Sequence, residues 1–264
     1  MEDMVMEDVV GDVVGELLKQ YEGKGRVVIG LAGVPGSGKS TTAKMLAKAV
    51  DVRLGAGSGS AVSMDGWHYP KKSLDAFEDV EEAYRRRGSP FTFDTRALAT
   101  TLRQLRAAAD DVLVPTFDHA KGDPVPGGQV VPAACRFVFV EGNYVGLDPR
   151  VTSIEGRPGA VMGEGPVEDW LPAWLGPRER WDELEFDEVW YLDCLVPVAL
   201  DRLQIRHQKA WGIDQAAAWQ RIRGNDEPNA VLIVQFLSPS ITRRIPSLPL
   251  RSPPSPSSPP SSQD

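Results

Sequence analysis

The sequence of 264 residues has few cysteines, few histidines and no long uninterrupted apolar run. Its two cysteines, Cys135 and Cys194, each border a β-like run and show no CxxC or disulfide-like spacing, so we interpret both as buried, inert thiols. Charged residues interrupt every hydrophobic run, and no stretch approaches the roughly 18 apolar residues of a membrane-spanning helix. The sequence therefore predicts no membrane span.

Positive charge is also scarce. The chain carries 29 lysines and arginines against 37 aspartates and glutamates, a formal net charge of −8. Because nucleic acids and anionic membranes usually demand a basic surface, this balance argues against nucleic acid as a partner. The N-terminus, MEDMVMEDVV, lacks the basic flank of a secretory signal and the arginine-rich face of a transit peptide. We therefore expect a cytoplasmic protein.

Strand-like and helix-like segments alternate along most of the chain. Apolar residues at three-to-four spacing predict an N-terminal amphipathic helix within residues 1–21. Strands that are apolar on both faces and alternate with helices indicate a parallel sheet covered on each side. We predict an α/β fold of three layers, α/β/α, with a five-stranded parallel sheet, in a domain spanning residues 22–237. The five β-like runs are 27–32, 61–64, 112–114, 137–140 and 189–192.

Two regions fall outside that alternation. Residues 149–180 hold several Gly and Pro without a sustained period and are predicted to be a loop insertion. Residues 238–264 are rich in Ser and Pro, a composition that cannot bury enough apolar surface to offset its ordering entropy. We predict that this tail is disordered.

A glycine-rich motif lies between the first predicted strand and the helix-forming segment that follows. Residues 33–40 (GVPGSGKS) match G-x-x-x-x-G-K-[ST], in which glycines let successive backbone N–H groups point at phosphate oxygens. Lys39 would reach the β- and γ-phosphates, and Ser40 would ligate Mg²⁺. The flanking strand and helix argue against the alternative, an accidental Gly/Ser turn. We predict ATP and Mg²⁺ as cofactors, held by Gly33, Val34, Pro35, Gly36, Ser37, Gly38, Lys39, Ser40 and Thr41.

A second acidic partner for the metal is expected at the end of another strand. The apolar run FVFVEG ends in Glu141. A strand that ends in glutamate at the surface is common, but beside a phosphate loop it predicts that Glu141 acts on the metal or its waters.

Several further segments together resemble a known family. The matching segments are 63–70 (SMDGWHYP), 86–94 (RRGSPFTFD), 115–119 (PTFDH), 123–126 (DPVP) and 141–144 (EGNY). They occur in the family's order and, with the phosphate loop, cover roughly residues 25–148 and 186–233. On these segments the chain is similar to the phosphoribulokinase and uridine kinase family of P-loop kinases, including its pantothenate kinase-like members and its fungal and bacterial ATP-dependent kinase-like members. The resemblance implies phosphorylation of a hydroxyl on a small-molecule acceptor: a nucleoside, a pantothenate-like compound or a sugar.

The resemblance gives Asp65 a catalytic role. In this family the matching carboxylate accepts the proton of the attacking hydroxyl, and in-line phosphoryl transfer needs little beyond positioning, charge neutralisation and one base. The alternative is a plain turn, since Asp-Gly is one of the commonest turn dipeptides.

Other matches imply an acceptor site. Arg87 stands where the family's substrate loop begins, and His119 matches a position at which relatives contact the acceptor. Asp94 would either cap the following helix or accept a substrate hydroxyl. Tyr69 would either stack on a substrate ring or belong to the core.

Residues 198–207 look like the family's lid helix. Arg202 and Arg206 share a face because they lie four residues apart, and we favour Arg206 as the lid arginine that closes over the transferring phosphate. The alternative is two exposed arginines that pair with Asp201 or with solvent. Residues 221–229 (RIRGNDEPN) resemble an R-x-x-x-N-D-x-P-N element that would hold the lid and contribute near the nucleotide base.

The chain departs from the family pattern after about residue 233, where the Ser/Pro tail replaces an expected closing segment. The last strand or the lid support would then be incomplete. This departure keeps a second hypothesis open, an ATP-binding regulatory or assembly module whose catalysis has decayed. A homodimer is also left open, and the sequence does not identify the acceptor.

Overall fold

The computed structural model describes residues 6–107, 109–148 and 181–247. Within these residues the strands are β1 (Val27–Ala32), β2 (Gly59–Ser63), β3 (Val112–Asp118), β4 (Asp123–Val131), β5 (Phe137–Gly142), β6 (Glu188–Asp193) and β7 (Arg243–Pro246). The helices are α1 (Met6–Gln20), α2 (Lys39–Leu54), α3 (Lys71–Leu74), α4 (Val80–Arg85), α5 (Thr95–Ala107), α6 (Val196–Trp211), α7 (Gln215–Arg221) and α8 (Glu227–Gln235).

The main sheet has five parallel strands in the order β2-β5-β1-β6-β7. Both β1 and β5 are buried along their whole length, as expected for strands covered on two faces. Because all five strands run the same way, their carboxyl ends meet at one edge, which is where open α/β sheets bind ligands.

Helices cover both faces of this sheet. Helices α1 and α2 pack over Ile29, Phe139 and Trp190 on one face. Helices α5 and α8 pack over the opposite face, which includes Val28 and Val140. The predicted three-layer α/β/α fold is therefore confirmed. None of the helices in the described residues combines the length and apolarity that crossing a bilayer would need.

One of the five predicted strands lies outside the main sheet. The run at 112–114 belongs to β3, which pairs antiparallel with β4 in a separate hairpin. The reason is visible in its burial, because Leu113 is 65% exposed between the buried Val112 and Val114. Such alternation suits a strand with one solvated face rather than a central strand of a parallel sheet.

The fifth strand of the main sheet comes instead from the segment predicted to be a disordered tail. Strand β7 pairs with β6 from Trp190 to Asp193, and Ile245 is its buried side chain. Pro246 is tolerated because β7 is an edge strand. The described part of the segment, up to residue 247, is therefore folded, and the rest of the predicted tail lies outside the described residues, as does the predicted insertion at 149–180.

A buried carboxylate fastens α1 to the sheet at the edge opposite the carboxyl ends. Glu188, the first residue of β6, accepts hydrogen bonds from Gln20 Nε2 (2.7 Å), Tyr21 OH (3.0 Å), Trp190 Nε1 (2.6 Å) and Thr242 Oγ1 (3.0 Å). Burial and the Glu188 carboxylate raise the pKa of Tyr21 to about 12. The phenol therefore stays a hydrogen-bond donor, and this cluster fixes the N-terminal helix and the approach to β7.

Candidate active site

The glycine-rich loop connects β1 to α2 at the carboxyl edge of the sheet. Gly36 and Gly38 have φ angles of 80° and 97°, in the left-handed region that favours glycine. A Cβ atom on Gly36 would lie 2.2 Å from the carbonyl oxygen of Ala199 in α6. The loop therefore needs glycine at this position both for its backbone conformation and for its close contact with α6.

Lys39 begins α2 and is buried, with Nζ donating to the carbonyl of Val34 at 2.9 Å. Burial lowers the pKa of Lys39 to about 8, whereas the negative charges of Glu141 and Asp65 act in the opposite direction. The positive charge of Arg206 lowers the pKa further. Because such effects act over short distances, the charged groups of Glu141, Asp65 and Arg206 all lie in the neighbourhood of Lys39.

Two oxygen donors suited to magnesium meet at the same edge. Ser40 Oγ donates to Glu141 Oε1 at 2.8 Å, and Glu141 is 6% exposed at the end of β5. Burial raises the pKa of Glu141, although Lys39 and hydrogen bonds from Ser40 and Ser63 oppose this rise. A hydroxyl and a carboxylate fit Mg²⁺, which usually takes one or two protein ligands and completes its shell with water and phosphate oxygens.

The loop also holds a buried hydroxyl that fits a phosphate ligand. Ser37 Oγ is buried and has no hydrogen-bond partner among the described residues. Buried polar groups are rarely left unpaired, and a phosphate oxygen would satisfy this one.

Asp65 follows β2 in a 3₁₀ turn, Met64–Trp67. Its N–H is capped by Ser63 Oγ at 3.4 Å. Gly66 allows the turn to approach β3, because a Cβ there would lie 2.3 Å from the carbonyl oxygen of Pro115. Asp65 thus lies in the Asp-Gly turn and also near Lys39. Its place in a turn does not exclude the predicted role as a base.

The wall beside Asp65 is aromatic. The ring of His68 lies between Phe93 and Phe117, with centroid distances of 4.0 and 4.8 Å. Its Nδ1 is 2.8 Å from the carbonyl oxygen of Asp65, which can only accept, so Nδ1 donates. Burial lowers the pKa of His68, which favours the neutral ring with a lone pair on Nε2.

Two of the predicted acceptor residues lie close to His68. Arg87 and His119 are near enough for their charges to lower its pKa. Arg87 Nη2 donates to Tyr69 O and to Asp123 Oδ1, both at 2.9 Å, so an acidic neighbour partly neutralises this arginine. The His119 ring meets the edge of Phe117 at 5.2 Å.

The other two predicted acceptor residues line a groove along α5. Asp94 Oδ1 accepts from Ala97 N at 2.9 Å, so its side chain caps α5. The Tyr69 ring packs against Phe77 at 5.6 Å. Both residues border an open cavity of about 580 Å³ that α5 completes with Arg96, Ala97, Thr100, Thr101 and Gln104.

The two arginines of α6 have different positions. Arg202 Nη1 donates to Ser247 Oγ at 2.8 Å and lies 3.4 Å from the carbonyl oxygen of Ser37. Ser247 Oγ itself donates to that carbonyl at 2.7 Å. Arg206 is exposed one turn further on, within electrostatic reach of Lys39. Arg202 thus contacts the loop backbone, while Arg206 remains available to a ligand.

Comparisons with known proteins agree with this geometry. The model of the phosphoribulokinase/uridine kinase family matches residues 28–155. An ATP-dependent kinase-like protein of Aspergillus versicolor is 32% identical over 179 residues, which are 65% of this chain and 87% of that protein. The chain belongs to the phosphoribulokinase/uridine kinase family.

Other relatives of this kinase family member bear names from more than one acceptor class. A candidate uridine kinase from Schizosaccharomyces pombe is 42% identical over 134 residues, which are 50% of this chain and 56% of that protein. The chain thus spans little more than half of that relative's length. The solved structure of a candidate fructose transport system kinase from Silicibacter sp. TM1040 has a TM-score of 0.68 at 26% identity and covers 90% of this chain and 98% of that one.

Some residues of this candidate site were not predicted from the sequence. Phe117 and Ser89 lie in family-like segments but were given no role, because their contacts arise only in the three-dimensional fold. Ser247 comes from the segment predicted to be disordered. His68 did carry a signal, because all three histidines of the chain, His68, His119 and His207, lie within family-like segments.

Proposed function

We propose that the protein is an ATP-dependent kinase that transfers the γ-phosphate to a hydroxyl of a small metabolite. The observation that carries this proposal is the convergence of Lys39, Glu141 and Asp65 near the carboxyl ends of neighbouring strands, with the charge of Arg206 within reach of Lys39. A phosphate cradle alone would fit many nucleotide-binding proteins. A second carboxylate near the cradle, in addition to the one that hydrogen-bonds to Ser40, fits phosphoryl transfer to a second substrate.

Each side chain has a separate task in the proposed reaction. Lys39 and Arg206 neutralise charge on the γ-phosphate, and Asp65 takes the proton of the acceptor hydroxyl as its oxygen bonds to phosphorus and ADP leaves. Ser40 and Glu141 would hold Mg²⁺, which when bound neutralises phosphate charge. The neutral His68 donates to the Asp65 carbonyl and thereby holds the turn that carries the base.

The wall beside Asp65 supports a proposal for the class of acceptor. The partly exposed rings of Phe117 and His68 offer aromatic surface, with the buried Phe93 packed behind His68, while Arg87, His119 and Asp94 offer polar groups nearby. A ring or a short polyol with hydroxyl groups would match this mixture. We propose a nucleoside, pantothenate-like or sugar-type acceptor, a range in line with relatives named for uridine and fructose.

An ADP-release screen tests the proposal over nucleosides, pantothenate, sugars and sugar phosphates. At least one acceptor should stimulate turnover, and Asp65→Asn should lower kcat on it by about 10²–10⁴-fold because it removes the base but keeps the side-chain shape. ATP affinity, measured by calorimetry, should be unchanged. The matched control is Asp12→Asn on the exposed side of α1, which should behave as wild type.

Two results would contradict this assignment. Full turnover in Asp65→Asn would remove Asp65 from the chemistry. ATP binding without any acceptor-dependent turnover across the panel would favour the ATP-binding regulatory or assembly module over a kinase.

A further inference from the structure

A single wide helical turn touches both sides of the proposed active site. Ile222–Asp226 forms a π-helical turn between α7 and α8, and the backbone N–H of Glu227 bonds to the carbonyl of Ile222. Single π turns within α-helices occur frequently at functional sites because the extra residue redirects the side chains around it. In this turn neighbouring residues face two different partners.

Asn225 and Asn229 face the acceptor loop, which we define as residues 86–89. Asn225 Nδ2 donates to the carbonyl of Arg87 at 3.0 Å. Ser89 Oγ lies 3.2 Å from both Asn225 Oδ1 and Asn229 Oδ1, and its one proton can serve either oxygen. Ser89 is fully buried and Asn229 is 2% exposed, so water cannot readily replace these partners.

Other groups support the same loop without linking it to the lid. Arg86 donates to Ser89 Oγ through Nε (3.3 Å) and Nη2 (3.1 Å). Tyr144 OH donates to the carbonyl of Gly88 at 2.7 Å. The backbone around Arg87, the loop residue proposed to contact the acceptor, is therefore held by buried hydrogen bonds at Ser89 and by partly buried ones at Arg87 and Gly88.

The next residue of the π turn faces the lid helix α6. Asp226 Oδ2 lies 2.9 Å from Nε2 of His207, which directly follows Arg206. His207 is 4% exposed and stacks on Trp211 at a centroid distance of 4.4 Å. Arg221, just before the turn, lies over the same Trp211 ring, with its Cζ atom 4.0 Å from the ring centroid.

We propose that residues 225–229 couple the lid to the acceptor loop, with Asn225 positioning Arg87 and Asp226 positioning Arg206 through His207. This inference rests on the proposed kinase function and adds a regulatory connection between its two substrate sites. One covalent turn carries both contacts, so a shift of α6 towards bound nucleotide moves the groups that hold the acceptor loop. Nucleotide binding should then order the acceptor loop before any acceptor arrives.

Hydrogen exchange on the full chain tests the coupling without a known acceptor. A non-hydrolysable ATP analogue with Mg²⁺ should slow amide exchange in residues 87–92 of wild type by about fivefold or more, the lower end of typical allosteric couplings. Asn225→Ala, which removes the contacts to the loop, should abolish this slowing. His207→Phe keeps an aromatic ring against Trp211 but removes the bond to Asp226, and it should abolish the slowing as well.

Matched measurements separate coupling from damage to the fold. Arg223→Gln changes an exposed residue of the same π turn and should preserve the wild-type response. Each variant is compared at a saturating concentration of the analogue, set from its own affinity in calorimetry, and thermal melts should show that each remains folded.

Three outcomes would overturn the proposal. The analogue could bind tightly without slowing exchange at residues 87–92 of wild type. Asn225→Ala and His207→Phe could both retain the slowing, or Arg223→Gln could lose it as fully as they do. Failure of the analogue to bind wild type at all would instead contradict the kinase function, so the two failures are distinguishable.

Discussion

Burial sets the charge of several ionisable side chains around the phosphate loop. It lowers the pKa of Lys39 to about 8 and raises that of Glu141, yet each has an oppositely charged neighbour that limits the shift. His68 differs, since Asp65 favours its protonated form while burial, Arg87 and His119 oppose it, and the net direction is downward. The turn that carries Asp65 therefore depends on a histidine that is neutral near neutral pH.

This neutral histidine makes stability depend on pH. The pKa of His68 is lower in the folded chain than in the unfolded chain. The unfolded chain therefore binds the proton more tightly. The contribution of His68 to stability is complete above about pH 6.5 and is lost as the pH falls below that value. His68→Asn keeps a donor for the Asp65 carbonyl but does not titrate. Between pH 7.5 and 5.5, wild type should lose more free energy of unfolding than His68→Asn. The difference should be at most about 1.4 kcal/mol for each unit by which folding lowers the pKa of His68. Urea unfolding at both pH values measures this difference, and equal losses in the two proteins would contradict it.

At the scale of residues, the phosphate loop could be predicted from the sequence because its geometry is local. Residues 33–40 need only their own glycines, one strand and one helix. The aromatic wall could not be predicted, because His68, Phe93 and Phe117 are separated along the chain and meet only when β3 packs against the turn after β2. Asp65 and Glu141 could be predicted in part. Their positions at or just after the ends of strands can be read from the sequence, but their closeness depends on which strands are neighbours in the sheet.

At the scale of elements, the prediction of five strands in the main sheet was correct, but one of the five segments assigned to it was wrong. Residues 112–114 have the composition of a strand, but hairpin pairing is decided by the turn that follows and by the partner strand β4. Strand β7 has a single buried apolar residue, Ile245, so no periodicity distinguishes it from the Ser/Pro-rich sequence around it. Its place is set by the free edge of β6, a tertiary feature that a local pattern does not contain.

Two truncations test the importance of β7. A chain ending at Ser247 should keep wild-type stability and nucleotide affinity. A chain ending at Ser240 loses burial of Ile245, the pairing with β6 and the bond from Ser247 to the Ser37 carbonyl, which together should cost about 3 kcal/mol or more. It should also aggregate more readily, because the edge of β6 becomes unpaired. Denaturant unfolding and light scattering measure both effects; equal stability of the two chains would show that β7 contributes little.

At the scale of the whole molecule, the proposed active site draws on distant parts of the chain. The phosphate loop, Asp65 and Glu141 come from the first 141 residues, whereas Arg206, Asn225 and Ser247 follow the stretch 149–180. Ser247 and Arg202 meet at the Ser37 carbonyl, so the residue that follows β7 and helix α6 both contact the loop. A ligand in the loop should therefore stabilise the folded chain as a whole rather than one segment of it.

Nucleotide should raise the free energy of unfolding by mass action. At a Mg-ATP concentration of 100 times Kd, the gain should be about 2.7 kcal/mol, which corresponds to a melting temperature several degrees higher. If Ser40 and Glu141 hold Mg²⁺, removing the metal with a chelator should abolish most of this gain in stability. Glu141→Gln should reduce the gain even with the metal present, because the variant lacks the carboxylate charge. Lys39→Met should lose the gain as well, whereas Lys48→Met, an exposed position on the same helix, should retain it. Thermal melts with and without Mg-ATP measure all four proteins, and full stabilisation of Lys39→Met would contradict the phosphate-binding role of the loop.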